Sequence, residues 1–107
     1  MIATRRFDLD GKQLGSIPPE VLRCTKAESL SLFQNELRAL PDALWCLTQL
    51  TTLNLGDNLI SSLPDGIGKL TKLRLLDLGH KGFTTLPDAL GKRNGLSAVR
   101  SIDTHKL

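Results

Sequence analysis

A fixed interval of 23 residues separates four of the five prolines in this chain. They are Pro18, Pro41, Pro64 and Pro87. The same interval relates three closely similar pentapeptides, LPDAL at 40–44, LPDGI at 63–67 and LPDAL again at 86–90. A period between about 20 and 50 residues is typical of a solenoid, in which each structural repeat stacks on the next. The repeat therefore constrains the fold before any other property of the sequence.

The period divides the chain into four full units and one partial unit. The full units are 4–26, 27–49, 50–72 and 73–95, and the degenerate fifth is 96–107. A chain of 107 residues has the usual length of one domain, so 1–107 is predicted to be a single domain. Because only 4% of the residues are aromatic, aliphatic side chains must fill most of the core.

Each unit contains two kinds of apolar spacing. In the first half the apolar residues alternate, as in LSL (30–32) and LNL (53–55), which predicts a short strand with one buried face. In the second half they lie three or four residues apart, as in LPDALWCL (40–47), which predicts one or two helical turns. The proline and the aspartate that follows it suit the start of such a segment.

A unit this small cannot bury its apolar side alone, so neighbouring units must stack with their strands parallel. The fourth position of the unit tests this interpretation, because its residues must then lie side by side in adjoining strands. That position holds Phe7, Leu30, Leu53, Leu76 and Val99.

The strand half also carries a longer motif. The pattern L-x-x-L-x-L-x-x-N-x-L occurs at 50–60 and, with Ala in the first place, at 27–37. The chain thus resembles the leucine-rich repeat family, and the 23-residue unit with LPxxL resembles the intracellular subclass found in Ras-pathway scaffold proteins and in plant and bacterial proteins. The resemblance covers 4–95. It implies an α/β fold: a right-handed solenoid with short parallel strands on the concave face and short helical or 3-10 segments on the convex face.

The asparagine of that motif has a structural task. A buried amide can satisfy backbone groups where the chain turns off the strand, and each such group left unpaired costs roughly 1–3 kcal/mol. Asn35 and Asn58 are predicted to form this asparagine ladder. Lysine has no acceptor and resists burial, so we expect Lys12 and Lys81 to reach solvent and to leave the ladder weak. Thr104 also departs from the pattern.

The repeat signal decays from residue 81 onward. Arg93 occupies a core-facing position, where an unpaired buried charge would be costly, so its side chain is expected to be exposed. Terminal repeats of solenoids are normally atypical because they face water, and we favour this explanation. The alternative is that the chain is a fragment or an altered end of a longer array. Both ends look uncapped, which would allow homo-oligomers to form.

Several classes of function are not supported by the sequence. No nucleophile elbow, phosphate loop or calcium loop is present, so the chain is not predicted to be an enzyme. Cys24 and Cys46 are expected to be free, buried thiols, and with two distant histidines no metal ion or other cofactor is predicted. The sequence shows no signal peptide and no long apolar run, which predicts a cytoplasmic protein without membrane association.

Protein binding is the function that the repeat favours, since solenoids bind partners on the concave strand face. Phe33 and Leu75 stand out there as large apolar residues on a polar sheet, and exposed apolar patches mark interaction sites. Trp45 lies on the helical side, where packing against the next repeat explains it better. The predicted partner-binding residues are Arg5, Arg6, Asp8, Glu28, Ser31, Phe33, Gln34, Thr52, Asn54, Asp57, Arg74, Leu75, Asp77 and His80.

Charge suggests two alternative functions. Counted from the sequence, the net charge is +2 over 1–26 (five basic, three acidic), −4 over 27–68 (one basic, five acidic) and +5 over 69–107 (eight basic, three acidic), which sums to +3. An acidic middle between basic ends could steer self-association into a homodimer through the exposed ends. A nucleic-acid partner is the second alternative and is unlikely, because the basic residues are scattered and no aromatic stacking platform accompanies them. The sequence does not identify the protein partner.

Overall fold

One sheet runs through the whole described part of the molecule. The computed structural model of the protein describes residues 5–60 and 62–79, together with the backbone of 98–101. Five short strands pair in chain order, and every adjacent pair is parallel. The strands are β1 (Arg6–Asp8), β2 (Ser29–Ser31), β3 (Thr52–Asn54), β4 (Leu75–Gly79) and β5 (Ala98–Ser101). The α/β solenoid predicted from the repeat is therefore confirmed.

The strand register follows the sequence period. Leu30 pairs with Leu53, and Leu53 pairs with Leu76, each 23 residues further along the chain. Phe7 and Val99 continue the same row at its two ends, where they pair with Leu30 and Leu76. The prediction that these residues lie side by side is confirmed. The partial fifth unit thus adds a strand to the sheet.

The register changes between β4 and β5. Asp77 pairs with Arg100, but Gly79 pairs with Ser101, so one residue of β4 has no counterpart. An unmatched residue of this kind is a β-bulge, which bends and twists the strand. Gly79 also has a positive φ of 70°, as a bulge glycine often has. The repeat therefore becomes irregular at 77–79, before residue 81, where the sequence pattern decays.

Short helical segments form the other side of the solenoid. They are α1 (Pro19–Leu22) and two 3-10 helices, η1 (Asp42–Cys46) and η2 (Asp65–Lys69). The three segments start alike, because the carbonyl of the proline preceding each one accepts a hydrogen bond from the backbone N–H three residues later. These bonds join Val21 to Pro18 (3.0 Å), Leu44 to Pro41 (3.0 Å) and Ile67 to Pro64 (3.2 Å). The residues that donate these backbone bonds have buried side chains, so each helical segment contributes an apolar residue to the core.

The core lies between the strands and the helical segments. Fully buried leucines of successive repeats fill it, among them Leu32, Leu44 and Leu55. Trp45 is 4% exposed and packs against Gly66 of the following repeat, where a Cβ would collide with the indole ring. Its predicted packing between repeats is confirmed. The Trp45 Nε1 atom is buried without a hydrogen-bond partner.

The cysteines are free thiols, but they are not both core residues. Cys24 is half-buried and its Sγ donates to the Glu20 carbonyl at 3.3 Å, while Cys46 is exposed. The expectation that both thiols are buried is wrong. The reason is that Cys46 precedes by one residue the core position of its repeat, which Leu47 fills with no exposed surface.

Candidate binding surface

The sheet has one buried face and one face directed to solvent. In β2 and β3 the central residues Leu30 and Leu53 have no exposed surface, while the residues on either side of them are half-buried. We call the solvent-directed side the strand face. The parallel register arranges its residues in two rows across the strands. One row is Arg6, Ser29, Thr52 and Leu75, and the other is Asp8, Ser31, Asn54 and Asp77.

The turn that follows each strand borders this face on one side, and we call it the C-terminal rim. Three side chains of the second row accept hydrogen bonds from their own backbone. Asp8, Asn54 and Asp77 each accept, through Oδ1, the backbone N–H two residues further on, at distances of 3.1, 2.9 and 3.0 Å. Such Asx turns satisfy a backbone donor locally. These predicted binding residues therefore also shape their own backbone, Asp8 and Asn54 at the end of their strands and Asp77 at the bulge of β4.

The second repeat closes its turn with help from the first. Ser31 occupies the Asx position there, and the Phe33 N–H instead donates to Asp10 Oδ1 of the preceding repeat at 3.0 Å. The Ser31 hydroxyl donates to the same Asp10 oxygen at 2.6 Å. Because the acceptor comes from a neighbouring unit, a search within one repeat does not reveal this role of Asp10.

The next position of the rim adopts left-handed backbone in three successive repeats. Gly11, Gln34 and Asp57 have φ values of 66°, 57° and 52°. Residues with a Cβ pay about 1–2 kcal/mol in this conformation, and Asp tolerates it better than most. Gln34 is exposed and Asp57 is half-buried, so both predicted binding residues reach the surface from a constrained turn. His80, also predicted to bind, lies outside the described residues, as do Lys81, Arg93 and Thr104.

The Phe33 side chain is on the same rim and lies close to two glycines, Gly56 and Gly79, whose backbones are in contact with each other. Its ring reaches Gly56, since a Cβ built at Gly56 would approach Phe33 Cδ1 to 3.1 Å. The Gly56 backbone in turn meets Gly79, whose Cβ would come within 2.7 Å of Gly56 Cα. Phe33 is consequently half-buried rather than fully exposed, because its ring covers backbone that carries no side chain.

The residues just before and at the start of each strand form the opposite border, the N-terminal rim. Arg5 Nη1 and Glu28 Oε2 form an ion pair of 3.0 Å whose side chains are 59% and 43% exposed. Lys72 Nζ donates to Gln49 Oε1 at 2.6 Å. Arg74, also predicted to bind, lies on this rim and is exposed. Contacts on this rim thus join successive repeats through flexible, solvated side chains.

The side-chain amides of Asn35 and Asn58 are buried and form hydrogen bonds with the turns of neighbouring repeats. Asn58 Oδ1 accepts the Leu37 N–H at 3.0 Å, and its Nδ2 donates to the carbonyls of Leu32, Leu55 and Gly56 at 2.8–3.1 Å. Asn35 makes the equivalent bonds one repeat earlier. Its Oδ1 accepts the N–H groups of Lys12 and Leu14 at 3.0 Å, and its Nδ2 donates to Leu9, Leu32 and Phe33 at 2.8–3.4 Å.

These bonds bear on the prediction for Lys12. Its side chain is exposed, as expected for a lysine in the asparagine position. The backbone N–H groups of Lys12 and Leu14 and the Leu9 carbonyl are nevertheless paired, because Asn35 of the following repeat bonds to all three. Asn58 makes the equivalent bonds one repeat later, so these contacts do not replace an amide at position 12, and the predicted weakness there stays a prediction.

Sequence reasoning missed one apolar surface residue. Leu59 is 44% exposed, the most of any large hydrophobic residue in the described segments. Gln13 and Glu36 occupy the same position in the two preceding repeats, and this polar column is the signal that could have revealed its exposure. A shallow, mostly apolar groove also lies between the first two repeats on the helical side, lined by residues that include Ile17, Leu22 and Pro41. Single exposed leucines are common on soluble proteins, so Leu59 alone defines no site.

Other kinds of site have no support in the part of the chain that the structure describes. No group of three or more His, Cys, Asp and Glu side chains converges there as metal ligands would. Within the same residues, no helix is long and apolar enough to cross a membrane.

Comparison with known proteins finds similarity to leucine-rich repeat proteins, both in sequence and in structure. The sequence profile described as leucine rich repeat matches residues 3–60, and a second profile, leucine rich repeats in two copies, matches 48–92. Among solved structures, a leucine-rich repeat protein of Leptospira interrogans is 36% identical, with a TM-score of 0.64, and the match covers 69% of this chain. The match covers 19% of that protein, so the present chain spans about a fifth of its length. No curated protein matches this chain.

Proposed function

Because the chain belongs to the leucine-rich repeat family, whose domains generally serve as protein-interaction modules, we propose that it is a non-catalytic module that binds a protein partner through its strand face. The use of the strand face for binding, the predicted contact residues on it and the absence of catalytic activity are all part of this proposal. The 23-residue LPxxL subclass, a scaffolding role and a cytoplasmic location belong to the same proposal. They rest on the sequence resemblance.

One observation carries the proposal. The strand face presents two in-register rows of half-buried and exposed side chains directly above a fully buried row of leucines. The packed core thus holds the binding side chains on a rigid sheet, so little conformational freedom is lost when a partner orders them. Ordered polar groups on a rigid support suit recognition better than solvated loops do.

Apolar area on this face would supply the anchor. Phe33 and Leu75 are half-buried, one on the C-terminal rim and one at the start of β4. The polar residues Thr52 and Asn54 of β3 lie between them. Aromatic residues are enriched at protein interfaces, whose apolar centre is surrounded by a polar border.

The test is affinity capture from the native host lysate by purified protein. The variant Phe33→Asp/Leu75→Asp is expected to lose the captured partner, with an unchanged far-UV circular dichroism spectrum. The matched control Ala39→Asp/Ala43→Asp adds the same charge at exposed positions on the helical side and should retain the partner. Equal capture by wild type and both variants would show that the strand face is not the binding site.

A second candidate function is self-association through the first repeat. Phe7, Leu9 and Leu14 remain half-buried at that end of the sheet, although they pack against the core. Another repeat stacked on them would complete their burial. Light scattering over a range of concentrations tests this alternative, since a mass that stays at 11.7 kDa rules it out. Nucleic acid remains the least favoured partner, because basic and acidic groups share the strand face.

A further inference from the structure

The charged residues of the strand face are sorted by rim. In the described repeats the N-terminal rim holds five basic groups and one acidic group, namely Arg5, Arg6, Lys26, Lys72, Arg74 and Glu28. The C-terminal rim holds five acidic groups and one basic group, namely Asp8, Asp10, Glu36, Asp57, Asp77 and Lys12. The segregation runs along the strands and recurs in the first, third and fourth repeats, whereas the second repeat has an acidic residue on each rim, Glu28 and Glu36. It is therefore distinct from the variation of net charge along the chain.

Two grooves lie along the N-terminal rim. Lys26 shares a groove with Arg5 and Glu28 at the border of the first two repeats, and Lys72 shares a second groove with Thr51 and Arg74. On the other rim, hydrogen bonds to backbone N–H groups fix the carboxylates of Asp8, Asp10 and Asp77. The negative rim is thus held in place by the fold, while the positive rim is carried by longer side chains.

The distance between the rims suits a polypeptide. Each strand between them is three to five residues long, which corresponds to about 10–17 Å at 3.3 Å per residue. An extended segment lying across the strands would send successive side chains to opposite sides, one toward each rim. Charge complementarity would then fix its direction and face, as it does at other interfaces.

We propose, on the basis of the proposed function above, that the strand face binds an extended polypeptide segment in which acidic and basic side chains alternate. The acidic side chains meet the N-terminal rim and the basic side chains meet the C-terminal rim. The half-buried Phe33 and Leu75 contact the backbone and the aliphatic stems of the segment between the rims.

Two fluorescein-labelled peptides of about eight residues test this pattern, since at about 3.3 Å per residue they are more than long enough to cross four strands spaced about 4.8 Å apart. One alternates Glu and Lys, and the other has the same composition in two blocks, so that total charge is identical. Fluorescence anisotropy at low salt should show the alternating peptide binding roughly tenfold more tightly. Raising the salt to about 0.3 M should weaken this binding strongly, because it shortens the screening length.

Charge-reversal variants show whether the preference for the alternating peptide depends on the N-terminal rim. Lys26→Glu/Lys72→Glu reverses two charges of the N-terminal rim and should remove the preference for the alternating peptide. The control Arg38→Glu/Lys69→Glu makes the same change in net charge at exposed positions outside both rims and should keep the preference. Circular dichroism confirms that both variants are folded.

Equal affinity for the two peptides, or failure of both to bind at low salt, would overturn the inference. Equal loss in the two double variants would also overturn it, because net charge alone would then explain binding. These results are separable from the proposed function. If capture of the natural partner still depends on Phe33 and Leu75, the strand face remains the binding site and only the charge pattern of its ligand is refuted.

Discussion

The first repeat and the second repeat bury the same side chains to different extents. Leu9 and Leu32 occupy equivalent positions, yet Leu9 is half-buried while Leu32 has no exposed surface. Leu14 and Leu37 differ in the same way. Both members of each pair are leucines at the same position of the repeat, so we attribute the difference to the neighbouring repeats. An inner repeat is covered by packed repeats on both sides, whereas, among the residues that the structure describes, the side chains of the first repeat contact a core on one side only.

The polar groups show the same contrast. The bonds that Asn58 makes between the second and third repeats are buried, while all three that Asn35 makes to the first repeat are only partly buried. Water can therefore replace a partner that is lost when Asn35 is removed, but not one that is lost when Asn58 is removed. The comparison therefore teaches that position in the stack, more than the sequence of a repeat, determines what each contact contributes to stability.

The largest expected effect comes from shortening equivalent leucines. Leu32→Ala should reduce the free energy of unfolding by about 3–5 kcal/mol, since it removes buried methyl groups and leaves a cavity. Leu9→Ala should cost less than about 2 kcal/mol, because part of that side chain is already in water. Urea denaturation followed by circular dichroism measures both values. Equal losses would mean that the first repeat is as well packed as the second.

Removal of the two amides should give the next largest difference. Asn58→Ala removes a partner from four buried backbone groups and should cost about 2–4 kcal/mol, because the Leu37 N–H and the Leu55 carbonyl lose the partner that Asn58 provides while the other two carbonyls keep a second donor. Asn35→Ala should cost about 1–2 kcal/mol, since solvent can reach most of the groups that it releases. The same denaturation experiment applies. A larger loss for Asn35 than for Asn58 would reverse the proposed ranking of the two repeat borders.

Adding one methyl group to a glycine sharpens the comparison further. Gly66→Ala places a Cβ against the Trp45 ring and should destabilise the protein by about 1–3 kcal/mol through overpacking. Gly15→Ala in the first repeat meets no atom within 4 Å and should change stability by no more than about 0.5 kcal/mol. Thermal unfolding of both variants suffices. If Gly66→Ala proves neutral, the packing between the inner repeats is looser than described.

The smallest effect should come from the ion pair between the first two repeats. Arg5 and Glu28 are both largely exposed, so water and salt screen their attraction. A double-mutant cycle with Arg5→Gln and Glu28→Gln should give a coupling energy below about 0.5 kcal/mol. A coupling above about 1 kcal/mol would show that this pair, and not apolar packing alone, holds the first repeat in place.

The sequence predicts the elements of this fold that depend on the period alone. A constant interval of 23 residues fixes the parallel register, and with it the row that contains Leu30, Leu53 and Leu76. The position of Trp45 between repeats was also predictable, because a large aromatic residue on the helical side needs a partner to cover it.

Features that depend on contacts between different repeats could not be predicted in the same way. Asp10 replaces an Asx residue missing from the next repeat, and Asn35 satisfies the turn around Lys12. Phe33 is half-buried because Gly56 lies under its ring. The outward-facing strand position of Asp8 and of Asp77 suggested a binding residue, whereas the hydrogen bond that each makes to its own backbone is visible only in three dimensions. Which of the predicted surface residues contact a partner stays a prediction.

The packing of Trp45 on Gly66 has an optical consequence. The chain contains one tryptophan and no tyrosine, so its intrinsic emission arises almost entirely from the border between the second and third repeats. Separation of those repeats would bring the indole into water and shift its emission to longer wavelength. Loosening of the first repeat alone would leave the spectrum unchanged. A comparison of fluorescence with total ellipticity during unfolding would therefore reveal whether the stack comes apart from its end or all at once.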